Sequence, residues 1–170
     1  MPPITALLHT TNDALRLGRA LETLLPCAEI LIVDHHSSDA TRRIARAYGA
    51  RIVAAESQDA EIQDKVHRYL DLASHDWIFC MKPAESINEN LQASLFEWSA
   101  LPSRNATSSA GSGLAFSVFV REQIGEHWVD VPAPETRLVP RGWPRWLGRL
   151  PAPEPSTVAL EGQLLRFALS

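Results

Sequence analysis

A short apolar strand that ends in a carboxylate constrains this chain more than any other feature. The segment from Glu29 to Asp34 has the sequence EILIVD, and the polar cluster that follows, HHSSDAT, can begin a helix at Ser38 or Asp39. A buried strand that delivers a carboxylate to a strand-to-helix turn is typical of open α/β sheets, which place nucleotide-binding groups there. The segment therefore predicts an α/β fold with a ligand site beside Asp34.

Strand and helix patterns alternate through the first hundred residues. Strands are predicted over residues 4–9, 29–34, 51–54 and 77–81. Helices are predicted from a cap at Asn12 or Asp13 to Pro26, from Ser38 or Asp39 to Tyr48, over 60–73, and from a cap at Asn88 to Ser99. This alternation predicts a mostly parallel sheet with helices on both faces.

The pattern changes at Pro102. Residues 102–113 are small and polar, which predicts a flexible loop. Short strands are then predicted over 114–120, 136–140 and 158–160, while residues 163–168 fit either a strand or a short helix. The length of 170 residues favours a single domain, with an α/β half over 4–101 and a short β-rich part over 114–170.

The overall charge and the hydrophobic patterning exclude two classes of protein. The net charge of −4 argues against a nucleic-acid-binding protein, which would usually be basic. No run approaches the roughly 20 apolar residues of a transmembrane helix. The N-terminus has no signal-peptide pattern, so a cytoplasmic location is expected.

Four blocks of the first half follow one another in a recognisable order and spacing. They cover residues 4–13 (ITALLHTTND), 29–41 (EILIVDHHSSDAT), 44–53 (IARAYGARIV) and 76–85 (DWIFCMKPAE). Together they resemble the N-terminal half of family 2 glycosyltransferases, the inverting nucleotide-sugar transferases of the GT-A fold, and most of all bacterial enzymes related to lipopolysaccharide-core glycosyltransferases. Residues 135–141 (ETRLVPR) are similar to an Arg-Leu-(Phe/Val)-x-Arg segment of that family.

The resemblance implies a set of nucleotide-binding residues. The turn after the first strand would contact the base and ribose, and Asp34 would accept hydrogen bonds from the same groups. For Asp39, helix capping is the favoured role, and capping alone is also an alternative for the first turn. The nucleotide-binding residues implied are Thr10, Thr11, Asn12, Asp34, Ser37, Asp39 and Glu85.

The metal-binding motif of the family is degraded in this chain. Lys82 and Ala84 stand where the family has two aspartates, which leaves Glu85 as the motif's one carboxylate. A lysine ammonium is a donor and cannot ligate Mg²⁺ or Mn²⁺, so no metal cofactor is expected. Two alternatives remain open: Lys82 stabilises the diphosphate leaving group without a metal, or the site has decayed and Lys82 is merely solvated.

An inverting transfer also needs a general base, and two carboxylates lie in the relevant region. Glu135 is a better candidate than Asp130, although either fits a surface loop. The basic stretch over 137–149 could grip a diphosphate, a phosphorylated acceptor or an anionic membrane. Stacking of its arginines on Trp143 and Trp146 is the favoured explanation.

Two hypotheses of function follow. The first is a glycosyltransferase-like protein that recognises a UDP- or GDP-linked sugar and can transfer it with inversion, using Lys82 and Glu135. The second is a catalytically inactive homologue that acts as a binding or scaffolding module. That module would pair with another protein or with a second copy of the chain through exposed tryptophans.

Overall fold

A nine-stranded sheet forms the centre of the protein. The structure is a computed structural model that describes residues 4–56, 62–100 and 114–168, without the side chains of 62–65. Its helices are α1 (Ala14–Glu22), α2 (Thr41–Ala47), α3 (Ile62–Leu70) and α4 (Glu89–Ala100). Its strands are β1 (Ile4–Thr10), β2 (Glu29–Asp34), β3 (Arg51–Ala54), β4 (Trp77–Cys80), β5 (Glu85–Ile87), β6 (Phe116–Ile124), β7 (His127–Asp130), β8 (Glu135–Pro140), β9 (Trp146–Leu147), β10 (Leu150–Pro151) and β11 (Val158–Arg166).

The strand order separates a parallel region from a mixed one. The order is β3-β2-β1-β4-β8-β6-β11-β5, with β7 paired to β6. Strands β3, β2, β1 and β4 are parallel, so their carboxyl ends meet at one edge of the sheet. Strand β8 joins β4 and β6 antiparallel, and β11 runs parallel to β6 but antiparallel to β5. The predicted α/β class is confirmed.

Helices cover both faces of the parallel region. On one face α1, α2 and α4 pack against side chains such as Ile4, Leu8 and Phe79. On the other face α3 packs with Leu7 and Ile78. Both clusters consist of buried apolar side chains, as expected for strands that are covered on both sides. Within the described ranges, none of the four helices combines the length and hydropathy needed to cross a bilayer.

Most of the predicted element positions are confirmed. Strands β2 and β3 have the predicted bounds, and Asn88 caps α4 by accepting a 2.9 Å hydrogen bond from Leu91 N. Helix α1 ends at Glu22 rather than at Pro26. Residues 163–166, for which the sequence left two alternatives, continue β11. The predicted loop over 102–113 lies outside the described residues.

Several short strands are absent from the sequence predictions. Strand β5 has only three residues and begins with a charged side chain, Glu85. Strand β7 forms a hairpin with β6 through Gly125, and β9 pairs with β10 in a separate two-stranded sheet. Two- to four-residue strands carry too little periodicity to be recognised, because their pairing depends on residues distant in sequence.

Candidate active site

The turns after β1 and β2 are tied together by side-chain hydrogen bonds. Thr10 donates to Asp34 Oδ1 at 2.7 Å, and the Ser37 hydroxyl donates to the same oxygen at 2.6 Å. The backbone N–H of Ser37 donates to Asp34 Oδ2 at 3.1 Å. Burial alone would raise the pKa of Asp34, but these hydrogen bonds, led by those of Ser37 and Thr10, hold it below its ordinary value.

Asn12 completes this connection from the other turn. Its backbone φ of 51° lies in the left-handed region, which asparagine tolerates better than most residues. Its side-chain oxygen accepts hydrogen bonds from Ser38 N at 2.8 Å and Asp39 N at 3.3 Å, and its own N–H donates to Ser37 Oγ. The two turns therefore form one rigid unit at the carboxyl edge of the sheet.

Asp39 caps the N-termini of two helices, in agreement with the predicted capping role. Its carboxylate accepts hydrogen bonds from Ala14 N at 3.1 Å and from Thr41 N at 2.9 Å, at the first residues of α1 and α2. A carboxylate at two helix N-termini satisfies free N–H groups and favours both helix dipoles. Asp13, the residue before α1, makes no capping bond of its own.

The structure thus brings most of the predicted nucleotide-binding residues together. Thr10, Asp34 and Ser37 are buried and bonded mainly to each other. A small cavity of about 190 Å³ lies beside Asp34, and it is lined by Asp34, His36, Arg42, Arg46, Ile52 and Ala54. Thr11 lines a different and larger cleft.

The larger cleft has a volume of about 540 Å³ and follows the ends of β1 and β4. Thr11 and Lys82 are the predicted site residues that line it. The other lining residues come from β1, α1, the segment after β4, the end of β6, the β9–β10 hairpin and the end of β11. Among them are His9, Arg16, Glu122, Arg149 and Arg166. The cleft therefore lies where open α/β sheets usually hold their ligands.

The positive charges in this cleft are not equally available. Arg16 is paired with Asp13, and Arg166 with Glu85 and Glu135. Neither Lys82 nor Arg149 has a carboxylate partner in the part of the chain that the structure describes, and both side chains are exposed. Two uncompensated cations in a concave site favour an anionic ligand.

A cluster of two carboxylates and two arginines borders the cleft, which Arg166 lines. Arg137 holds Glu85 through two hydrogen bonds of 2.7 and 2.8 Å, and both side chains are fully buried. Arg137 also donates to Glu135 at 2.8 Å, and Arg166 donates to Glu85 at 3.0 Å. Burial alone would raise the pKa of Glu85, but the charge and hydrogen bonds of Arg137 keep it below its ordinary value.

The side chains of Lys82 and Glu85 do not fit a divalent metal ion. Glu85 has no exposed oxygen, because its carboxylate is enclosed by two arginines and the Lys82 N–H. Lys82 supplies a cation in place of a ligand. Among the described residues, no group of three or more His, Cys, Asp or Glu side chains could hold a metal ion. Glu85 is also fully buried and does not line the large cleft.

Glu135 lies in the same cluster rather than free in the cleft. Burial would raise its pKa, but the charges and hydrogen bonds of Arg137 and Arg166 lower it. Arg166 donates to both of its oxygens, at 3.0 and 2.9 Å. A carboxylate held in this way is a weaker base than a free one.

The basic stretch over 137–149 divides into four different environments. Arg137 is buried, Arg141 donates to Ala73 O at 2.8 Å, and Arg145 stacks over Trp143 at 4.5 Å while bonding Glu154. Arg149 alone of these four reaches the large cleft. The predicted stacking is confirmed for Arg145.

The two tryptophans of this stretch are not among the exposed tryptophans that the scaffolding hypothesis expects. Trp143 is 3% and Trp146 5% exposed, because both pack against the α3 face of the sheet. The Trp146 indole N–H donates to Trp143 O at 2.6 Å. These two side chains therefore offer no surface to a partner.

Sequence reasoning missed His9, Arg16 and Arg166 in the cleft. His9 is a polar residue near the end of an otherwise apolar strand, which is a recognisable signal for a ligand-facing position. Arg16 and Arg166 gave no such signal, because arginines at a helix start or a strand end are common. Their positions depend on α1 and β11 meeting beside the motif.

Solved structures of other proteins share the fold of this chain, although its sequence matches no known family profile. No protein-family profile and no curated protein matches the chain. Solved structures do match. S. aureus TarS 1–349 in complex with UDP-GlcNAc superimposes with a TM-score of 0.57 at 16% identity, over 76% of this chain and 37% of that one. Its complex with UDP gives 0.57 at 16%, over 76% and 38%, and a mycobacterial protein gives 0.50 at 18%, over 70% and 41%.

The fold is GT-A. This confirms the fold that the sequence resemblance implied, including the mostly parallel sheet of its first half. At identities of 15 to 18%, the similarity establishes the fold and not the activity. The chain spans less than half the length of these structures.

Proposed function

We propose that this GT-A domain binds a nucleoside-diphosphate sugar in the large cleft without a divalent metal. One observation carries the proposal: Lys82, uncompensated and exposed, lines the cleft at the position where the resembling family has a metal-binding aspartate. TarS binds UDP and UDP-GlcNAc on the same fold, which supports a uridine nucleotide as the first ligand to test.

Lys82 would take the role of the metal towards the diphosphate. Its ammonium stabilises the charge that develops on the leaving group when the sugar bond breaks. The turns after β1 and β2, which hydrogen bonds join into one unit beside Thr11 and Asp34, would hold the nucleoside part of the ligand. Thr10, Asn12, Ser37 and Asp39 would act by fixing the shape of that turn, since their polar groups are already bonded within it.

Transfer with inversion would require a base, for which Glu135 is the proposed residue. Its bonds to Arg137 and Arg166 must loosen for it to accept a proton, because both its oxygens are engaged. Release of Glu135 would require other partners for both Arg137 and Arg166.

A second candidate function is binding without catalysis. The observation in its favour is the ion-pair cluster of Glu85, Glu135, Arg137 and Arg166. Both carboxylates are neutralised by arginine there, so neither is free to act as a base. A chain of this kind would keep its nucleotide-sugar cleft and act as a binding module.

The proposal is tested by thermal stabilisation with UDP, GDP and their sugars, each with Mn²⁺ and with EDTA. A ligand that binds only the native state raises the melting temperature. We expect a shift that persists in EDTA and is lost in Lys82→Ala. Arg43→Ala is the control, because this exposed cation of α2 lies outside the clefts described above.

Three outcomes separate the alternatives. A shift that needs Mn²⁺ would contradict metal-free binding, and no shift with any nucleotide would refute the proposed ligand. If a nucleotide sugar binds, release of the nucleoside diphosphate on incubation with candidate acceptors distinguishes an active transferase from a binding module. Loss of that release in Glu135→Gln, with binding retained, would support Glu135 as the base.

A further inference from the structure

Two histidines connect Arg149 to the end of β1. Arg149 Nη2 lies 3.5 Å from His35 Nδ1, and His35 Nε2 lies 2.9 Å from His9 Nδ1. The residues come from three separate parts of the fold: the β9–β10 turn, the residue after β2, and β1 itself. Both His9 and Arg149 line the large cleft.

Arg149 stands at one end of this series of hydrogen bonds, and as a donor it fixes the direction of each bond in the series. A guanidinium can only donate, so His35 Nδ1 accepts and His35 Nε2 carries the ring proton. That proton is donated to His9 Nδ1, which leaves the proton of His9 on Nε2. The His9 Nε2 atom is buried and has no hydrogen-bond partner among the described residues.

Both imidazoles are neutral at pH 7, so Arg149 carries the single positive charge among these three side chains. Burial, followed by the charge of Arg149, lowers the pKa of His9 to about 3. The same two causes lower the pKa of His35, against the opposing charge of Asp34. An arginine held by neutral groups keeps its charge for a ligand, unlike Arg16 and Arg166, which are paired with carboxylates.

We propose that Arg149 binds the diphosphate of the nucleotide together with Lys82, and that His35 positions Arg149 for this contact. Together Arg149 and Lys82 provide the positive charge and the directed donors that a metal ion supplies in a metal-dependent site. The inference rests on the proposed nucleotide ligand, and it adds a phosphate-binding residue from the β9–β10 hairpin.

The test compares the affinities for UDP and UMP, measured by calorimetry in EDTA. The ratio of the two dissociation constants isolates recognition of the second phosphate. Arg149→Gln should weaken UDP binding roughly tenfold to a hundredfold, as for loss of a hydrogen bond to a charged group, and UMP binding much less. Arg145→Gln is the matched control, because it removes the same charge from the same region but from a side chain paired with Glu154.

The positioning role of His35 has its own readout. His35→Leu removes the acceptor for Arg149 and should move the UDP-to-UMP ratio towards that of Arg149→Gln. His35→Gln retains a side-chain oxygen that can accept a hydrogen bond from Arg149. The UDP-to-UMP ratio of this variant should therefore lie closer to the wild-type value than that of His35→Leu. If His35 only supported the fold, each substitution would weaken UDP binding and UMP binding by the same factor.

The outcomes separate this inference from the function on which it rests. If the wild-type protein binds neither UDP nor any other nucleoside diphosphate, the proposed function and the inference both fail. If UDP binds and Arg149→Gln leaves the UDP-to-UMP ratio at the wild-type value, the inference alone is overturned. An equal loss in Arg145→Gln would also overturn it, since the effect would then be one of general charge.

Discussion

At the scale of single residues, buried charge is concentrated at Glu85 and Arg137. Glu85 and Arg137 are both fully buried and form an ion pair, so the fold carries an internal guanidinium beside β4. Removing one partner from such a pair typically costs about 3 to 5 kcal/mol, because the other charge stays buried alone. Drawing Glu85 away from this pair would also break its hydrogen bond to Arg166.

The buried imidazole of His9 makes stability depend on pH. Its pKa is about 3 in the folded protein, against 6.5 in the unfolded chain. Between these values the unfolded chain binds the proton more readily, so stability is complete above pH 6.5 and falls as the pH is lowered towards 3. We expect a slope of up to about 1.4 kcal/mol per pH unit from this one group.

Urea denaturation between pH 5 and 7 measures this slope, above the range in which most carboxylates titrate. The slope should decrease in His9→Gln and stay at the wild-type value in His127→Gln, which changes an exposed histidine of β7. An unchanged slope in His9→Gln would mean that His9 is solvated in the folded protein.

At the scale of elements, the bulge in β11 determines how this strand meets α4. The register of β11 against β6 shifts between Ala159 and Gln163, and Gly162 has a φ of 101° at this point. A Cβ on Gly162 would lie 2.1 Å from Leu91 N and 2.5 Å from Leu91 Cα, in the first turn of α4. Only glycine allows the strand and the helix to approach this closely.

Gly162→Ala should therefore destabilise the protein by about 3 kcal/mol or more, since it adds a backbone clash to a strained φ. Gly125→Ala is the matched control: its φ is 61°, with nothing within 4 Å of the added Cβ, so only the strain of about 1 kcal/mol remains. Chemical denaturation of the two variants measures the difference. Equal effects would show that α4 moves to accommodate the methyl group.

The sequence was informative for elements whose signal is local. β2 and β3 were predicted to the residue because each is a compact apolar run with polar or glycine boundaries. β5 was not recognised because its Glu85 looks like a surface residue. Its burial depends on Arg137 and Arg166, which lie 52 and 81 residues away in sequence.

The same limit applies to the candidate site. The double turn of Asn12 and Asp34 follows from strand ends that are recognisable in the sequence. The chain of His9, His35 and Arg149 does not, because it exists only when the β9–β10 turn comes to the carboxyl edge of the sheet. Arginines that line the cleft therefore could not be separated from stacked or buried ones before the fold was known.

At the scale of the whole molecule, the two halves of the chain interlock in one sheet. β4 lies between β1 and β8, and β5 pairs with β11, so strands from beyond residue 114 separate β4 from β5. Trp77 of β4 also packs against Phe116 of β6, with ring centroids 5.9 Å apart. The first half alone would leave β4 as an apolar edge and β5 without a strand partner.

A fragment of residues 1–101 should therefore fail to fold, although it contains the predicted nucleotide-binding half. We expect it to lack a cooperative thermal transition by circular dichroism, while the 170-residue chain unfolds in a single transition. Mixing the fragment with residues 102–170 should restore part of the signal if the missing strands are the cause. Cooperative unfolding of 1–101 alone would show instead that the α/β half is an independent domain, and that the C-terminal strands serve the cleft rather than the fold.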